Sequence, residues 1–187
     1  MPKAIQLKTK NLILRQWKKS DYLAFSKLNS DVDVMKYFPK PLSETESHEM
    51  AMKIESSIKQ KGWGFWAVEL KENHLFIGFV GLHEPSSDLP FSPCVEIGWR
   101  LDKRYWGKGY ATEAGKEVLR FAFDTLKLDE VVSFTTVENN KSQSVMKRLN
   151  MIDIRQDFEH PALAKGHHLR EHVLYKITKE QWYKTIL

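Results

Sequence analysis

The segment that most constrains this chain runs from Cys94 to Ala111, CVEIGWRLDKRYWGKGYA. Its first eight residues alternate. Val95, Ile97, Trp99 and Leu101 share one face of an extended chain, and Cys94, Glu96, Gly98 and Arg100 share the other. A turn holding Gly107 and Gly109 follows, and then a helical stripe of Ala111, Ala114, Val118, Ala122 and Leu126. Strand, glycine turn and helix in that order demand a crossover onto a parallel neighbour, and the β-rich run Glu130 to Val137 supplies one. Gly98, inside the strand, marks a bulge or a close approach by another backbone or a ligand.

The remaining segments fill in a mixed sheet. Leu12 to Trp17 reads as a first strand, and Ser20 offers an N-cap to a helix carrying Tyr22, Phe25 and Leu28. Ser43 and Glu46 have capping-box spacing ahead of Met50, Ile54 and Ile58, and Gly62 and Gly64 close that helix. Phe65 to Leu70 and Leu75 to His83 form a hairpin across Lys71 to His74. The Pro-rich stretch Pro85 to Pro93 is a loop and not a linker, because strand-like runs flank it closely. Asn139 and Asn140 precede a short helix with Val145, Met146 and Leu149. Met151 to Phe158 and Glu171 to Ile177 read as two closing strands, and Thr178 and Gln181 as the cap of a last helix. The expected architecture is α/β, with a mixed, largely antiparallel central sheet, helices on both faces and a single crossover.

At 187 residues the chain is expected to be one domain, residues 1–187, able to bury a full core without staples. Its single cysteine, Cys94, excludes an internal disulfide framework and a multi-cysteine zinc site, and fits a reducing, cytoplasmic setting. The first 17 residues lack the apolar stretch of a secretory signal, and no window approaches a membrane span. The net charge is +5. Arg100, Lys103, Arg104 and Lys108 against Asp102 put a net +3 of it into nine residues at the glycine turn, so a small phosphorylated ligand is expected there in preference to nucleic acid or membrane.

The physics of the turn agrees. Glycines let backbone curl against a phosphate, and the first turn of a helix offers N–H groups with no intrahelical acceptor. A turn without any ligand stays open on the spacing alone. A dinucleotide turn is disfavoured because Thr112 stands where the third glycine of G-x-G-x-x-G belongs, and a P-loop lacks its Gly-Lys-Ser/Thr.

Arg104-x-x-Gly107-x-Gly109, opening a helix after a strand, resembles the acyl-CoA pyrophosphate motif of the GNAT superfamily of N-acetyltransferases. Asn11 to Arg15 resembles that superfamily's first strand and Cys94 to Trp99 its fourth. Asn139-x-x-Ser142, followed by Val145 and Met146, resembles its short helix beside the cofactor. The element order matches, and the resemblance spans residues 8 to 178. It is closest to the branch that holds ribosomal-protein N-terminal acetyltransferases.

This resemblance implies acetyl-CoA as the acetyl donor and a primary amine as acceptor, joined by direct transfer in a ternary complex. Ile97, Gly98, Trp99 and Leu101 would line the pantetheine arm. Trp106, Gly107, Lys108, Gly109, Tyr110 and Ala111 would cradle the pyrophosphate, with Arg104 or Lys108 reaching the 3′-phosphate, and Asn139 would bond the pantetheine region. Glu96 would be the base that takes a proton from the amine, as its position in the family's fourth strand implies, while an ordinary ion-paired strand Glu stays open. The family's usual thiolate-protonating Tyr falls here on Met146, which leaves Ser142 as the local donor or as a helix-start residue. Met146 also keeps open a catalytically silent CoA-binding regulatory module.

Other candidates carry less. Cys94 as a covalent acyl carrier lacks a visible partner base. His160, His167, His168 and His172 fall within 13 residues, and a solvated loop explains them better than a metal, so no metal site is expected. Trp63, Phe65 and Trp66 read as core, with one or two able to line an acceptor groove. No nucleic-acid or membrane partner is expected, and a homodimer is the common default for association.

Overall fold

A computed structural model describes residues 4–85 and 88–186. Ser86 and Ser87 of the expected Pro85 to Pro93 loop lie outside the described residues. The strands form a mixed, mostly antiparallel sheet accompanied by helices. The chain divides into two compact units. The first runs to Leu82 and takes up Gly98–Val118; the second holds His83–Ile97 and the residues from Leu119 onward.

In the first unit, β1 (Leu7–Lys8), β2 (Leu12–Arg15), β3 (Phe65–Leu70) and β4 (Phe76–His83, whose His83 belongs to the second unit) make an antiparallel meander. Leu14 sits opposite Val68, and Val68 opposite Gly78. Leu12, Leu14, Trp66, Ala67 and Val68 are fully buried, as apolar residues on a covered sheet should be. Helices α1 (Asp21–Ser30) and α2 (Glu44–Lys61) belong to this unit. The expected capping box is present: the Ser43 hydroxyl accepts from the Glu46 N–H, and the Glu46 carboxylate accepts from the Ser43 N–H at 2.8 Å. Gly62 ends α2 with φ +81°. Ser20 precedes α1 but adopts a helical backbone and makes no side-chain cap, contrary to expectation. Asp21 organises that start instead, accepting from the Lys18 N–H at 2.8 Å while paired with Arg15. A close backbone approach also appears at a position the sequence did not flag. A Cβ on Gly78 (φ +136°) would lie 2.1 Å from the carbonyl oxygen of Arg100.

The second unit is built on β6 (Glu130–Thr136) and β9 (Glu171–Thr178), antiparallel from Glu130↔Thr178 to Thr136↔His172. The first residues of β5 (Glu96–Leu101) run parallel to β6, in register at Glu96↔Val132, which confirms the crossover. The expected strand Met151 to Phe158 is two short ones, β7 (Ile152–Asp153) and β8 (Phe158–Glu159), both on β9. Asp153 pairs with Tyr175 and Phe158 with His172, so four residues on one side face two on the other. Arg155 takes φ +54° to absorb the excess. Two helices belong here, α4 (Asn140–Arg148) and α5 (Lys179–Ile186), while α3 (Tyr110–Asp124) contributes its last residues. The Thr178–Gln181 cap of α5 forms as expected, at 2.8 and 3.2 Å.

Candidate active site

The glycine turn lies in the first unit. After β5 ends at Leu101, the Asp102 carboxylate accepts from the Arg104 N–H at 2.9 Å and starts a short 3-10 turn over Lys103–Tyr105. The Trp106 indole N–H donates to the Leu101 carbonyl at 2.8 Å and ties the turn to the strand end. Gly107 and Gly109 then take φ +74° and +81°, and α3 begins at Tyr110. A Cβ built on either glycine meets no atom within 4 Å. Glycine is therefore needed here for its backbone conformation and not for room, and the space beside the turn is open. A positive-φ turn running into the first turn of a 15-residue helix presents N–H groups to a phosphate, so these residues fit the pyrophosphate of a coenzyme A.

Glu113, in the first turn of α3, is held away from that role. Its carboxylate accepts from the Thr9 hydroxyl at 2.5 Å, the Asn11 N–H at 2.7 Å and the Asn11 side-chain amide at 2.8 Å. Burial works to raise its pKa, but these bonds prevail and hold it below the usual carboxylate range. They tie the turn between β1 and β2 to the start of α3, a link invisible in the sequence because its ends lie about a hundred residues apart.

The charge expected at the turn is largely cancelled. Arg100 is buried at 8% exposure, donates to Asn29 Oδ1 at 2.7 Å and stacks 4.1 Å from the Phe38 ring centroid. Burial lowers its pKa to about 10. Lys103 pairs with Asp31 and Asp33 at 2.9 and 2.7 Å, and Arg104 with Asp102 at 2.7 Å. Lys108 stands over the Tyr105 ring at 5.4 Å. The net +3 counted along the sequence thus omits two aspartates brought in by the fold.

The acid–base candidates lie in the second unit. The Glu96 side chain is 12% exposed and lies 2.6 Å from His83 Nε2 through its Oε2. Burial raises the Glu96 pKa, against the lowering pull of His83. No motif marks His83 in the sequence: it merely ends an apolar run, 13 residues from Glu96. The Ile97 carbonyl accepts from the Ser133 hydroxyl at 2.9 Å, and the Val132 N–H donates to the Val95 carbonyl at 3.0 Å, so the start of β5 is firmly set beside β6. Burial, then the charges of Glu96 and Glu130, push the Cys94 thiol up to about 11, where it stays protonated and a poor nucleophile.

Asn139 caps α4: its side-chain oxygen accepts from the Ser142 N–H at 3.2 Å, and its amide donates to the Thr135 hydroxyl at 2.9 Å. Ser142 is half-buried in the first turn of α4. Met146 is buried at 1% exposure, and Asn150 takes φ +60°, the left-handed ending that its side chain tolerates. Among the strand residues expected to line a cofactor arm, Ile97 and Leu101 bury their side chains, and Gly98 and Trp99 are half-buried. The histidines split into two groups. His160 and His172 lie 5.0 Å apart among Phe134 and Phe158, and His167 stacks on His168 at 4.7 Å. Among the described residues no group of three or more His, Cys, Asp or Glu could hold a metal ion, and no helix is long and apolar enough to cross a membrane. Trp66 is core, its indole N–H donating to the Ile5 carbonyl at 2.7 Å.

Residues 11–152 match the acetyltransferase (GNAT) domain family. Over 179 residues the chain is 27% identical to the uncharacterized N-acetyltransferase YnaD of Bacillus subtilis, covering 95% of this chain and 99% of that one. It is 31% identical over 169 residues to the FsC-acetyl coenzyme A-N(2)-transacetylase of Aspergillus fumigatus, covering 83% of this chain and 68% of the relative. The crystal structure of a GNAT-family acetyltransferase from Bacillus anthracis superimposes with a TM-score of 0.79 at 26% identity, over 94% of this chain and 99% of that one. The chain belongs to the GNAT acetyltransferase family, and is with it an N-acetyltransferase, an acyltransferase acting on amino groups.

Proposed function

We propose that this chain, as a single catalytic domain in the cytoplasm, moves the acetyl group of acetyl-CoA directly onto a primary amine in a ternary complex. The acceptor is a protein N-terminal α-amine or a small-molecule amine. The observation that carries the reading is Glu96, a buried carboxylate with raised proton affinity beside a histidine.

An amine attacks a thioester only when neutral, and alkyl amines are cationic at pH 7. Glu96 takes the proton from the ammonium group, and the freed lone pair attacks the thioester carbonyl carbon. The C–N bond forms, the C–S bond breaks, and the sulfur leaves as a thiolate that takes the Ser142 hydroxyl proton, while the nitrogen's second proton passes to the Ser142 oxygen and restores it. The turn from Trp106 to Ala111 binds the pyrophosphate through backbone N–H groups, and Arg104, 74% exposed on its side chain, or Lys108 meets the 3′-phosphate. Backbone groups of Ile97, Gly98, Trp99 and Leu101 and the side chain of Asn139 bind the pantetheine. Holding donor and acceptor together supplies much of the acceleration. The protonated Cys94 thiol favours direct transfer over a cysteine-bound intermediate.

The test is a screen of purified protein with acetyl-CoA against N-terminal peptides, polyamines and aminoglycoside-like amines, reading CoA release. Turnover that Glu96→Gln abolishes is expected. Acetyl-CoA binding with no turnover on any amine would overturn the proposal in favour of a CoA-binding regulatory module.

A further inference from the structure

A buried base has to be emptied after every cycle. Glu96 accepts one proton per acetyl transferred, yet only 12% of its side chain meets solvent. His83 Nε2 is 2.6 Å away, on the last residue of β4, and 37% of the His83 side chain is exposed. Imidazole is the side chain whose ordinary pKa lets it both take and release a proton near neutrality. We propose that His83 is the relay that carries the proton from Glu96 to water. This rests on Glu96 being the base.

In the step, the amine proton makes Glu96 a carboxylic acid, and the acid O–H passes that proton to neutral His83 at Nε2. The resulting imidazolium gives up its Nδ1 proton to water, and a change of tautomer returns the remaining ring hydrogen to Nδ1 before the next cycle. The net change is one proton moved from the ammonium group to solvent, with no other bond altered. Two titratable side chains on adjoining segments are poor relays. Cys94, two residues earlier, keeps its thiol proton, and Glu130 of β6 is paired with Lys176 at 3.1 Å. His83 acts through Glu96 and is therefore a positioning residue.

The experiment compares wild type, His83→Gln, His83→Ala and Glu96→Gln. The first readout needs no acceptor: carboxyl-carbon NMR follows the titration of Glu96 in the protein alone. Because His83 holds the Glu96 pKa down against burial, both His83 variants are expected to titrate Glu96 at higher pH. The second readout is kcat against pH on an amine found in the screen. Both His83 variants are expected to lose more than about ten-fold, to move the acid limb upward, and His83→Ala to recover with added imidazole. Thermal melting and acetyl-CoA binding unchanged from wild type show that the variants are folded.

Wild-type kcat and an unshifted profile in both His83 variants, with Glu96→Gln inactive, would overturn the relay and leave Glu96 standing as the base. Full activity in Glu96→Gln would overturn the base itself and the relay with it. An unshifted Glu96 titration in the His83 variants would overturn the coupling on which the relay depends.

Discussion

Glu69 and Glu96 are both buried strand carboxylates, 6% and 12% exposed on their side chains, and their proton affinities move in opposite directions. Burial pushes both up. At Glu69 this is outweighed by the hydrogen bonds of His74 and Arg15 and the charges of Arg15 and Lys18, and its pKa falls to about 2. Arg15 meets Glu69 at 2.5 Å and Asp21 at 2.7 and 2.9 Å, so one guanidinium joins β2, β3 and α1. At Glu96 a single histidine answers the burial and burial prevails, so its pKa stays raised. The same residue type becomes a permanent anion that fastens three elements in one unit, and a carboxylate of raised proton affinity in the other. The number of cations in contact decides which.

The largest way to sharpen that contrast is Glu96→Gln. It is expected to lower kcat by about 10²–10⁴-fold without lowering stability, because no folded-state cation loses a permanent partner; a urea melt beside the kinetics checks both. Next comes Arg15→Ala, which leaves Asp21 buried without its cation and Glu69 with only the more exposed Lys18 and His74. A loss of about 3–5 kcal/mol is expected in denaturant unfolding, and a loss under 1 kcal/mol would break the idea that the triad is a scaffold. Third is the pH dependence of stability. Glu69 binds its proton more weakly folded than unfolded, so its contribution is complete above the ordinary glutamate pKa of 4.5 and is lost as pH falls toward about 2. Glu96 has the opposite sign: its cost appears as pH rises from 4.5 through its raised pKa, the range in which it ionises and activity should rise. Melting temperature and kcat/KM measured across pH 2–8 separate the two, with kcat/KM followed as far down as the fold survives. The smallest effect is that of Gly109→Ala. The left-handed conformation costs about 1–2 kcal/mol for a residue with a Cβ, and calorimetry is expected to show weaker acetyl-CoA binding.

Much of the scaffold was legible because its signals are local. The capping box at Ser43 and Glu46, the Gly62 stop, the β3–β4 hairpin and the crossover around the glycine turn all depend on neighbours within a few residues. The strand expected from Met151 to Phe158 split because its pairing is dictated by β9, whose two residues between His172 and Tyr175 face four. The charge expected at the turn faded because Asp31 and Asp33, 70 or more residues earlier, neutralise Lys103. Of the contact between Glu96 and His83, the sequence singles out only Glu96, by its place in a recognisable strand, whereas no motif marks His83.

The sequence by itself determined the glycine turn, the strand that leads to it, the alternation that puts Glu96 opposite the apolar face, and through these the family. Periodicity, caps and turn chemistry act over one to four residues and are written in order along the chain. Only the tertiary structure decided which carboxylate stays charged, which cations are already spent, and which histidine stands beside Glu96. Those are properties of burial and of contacts between residues far apart in sequence, and a pKa is set by that surrounding and not by the residue that bears it.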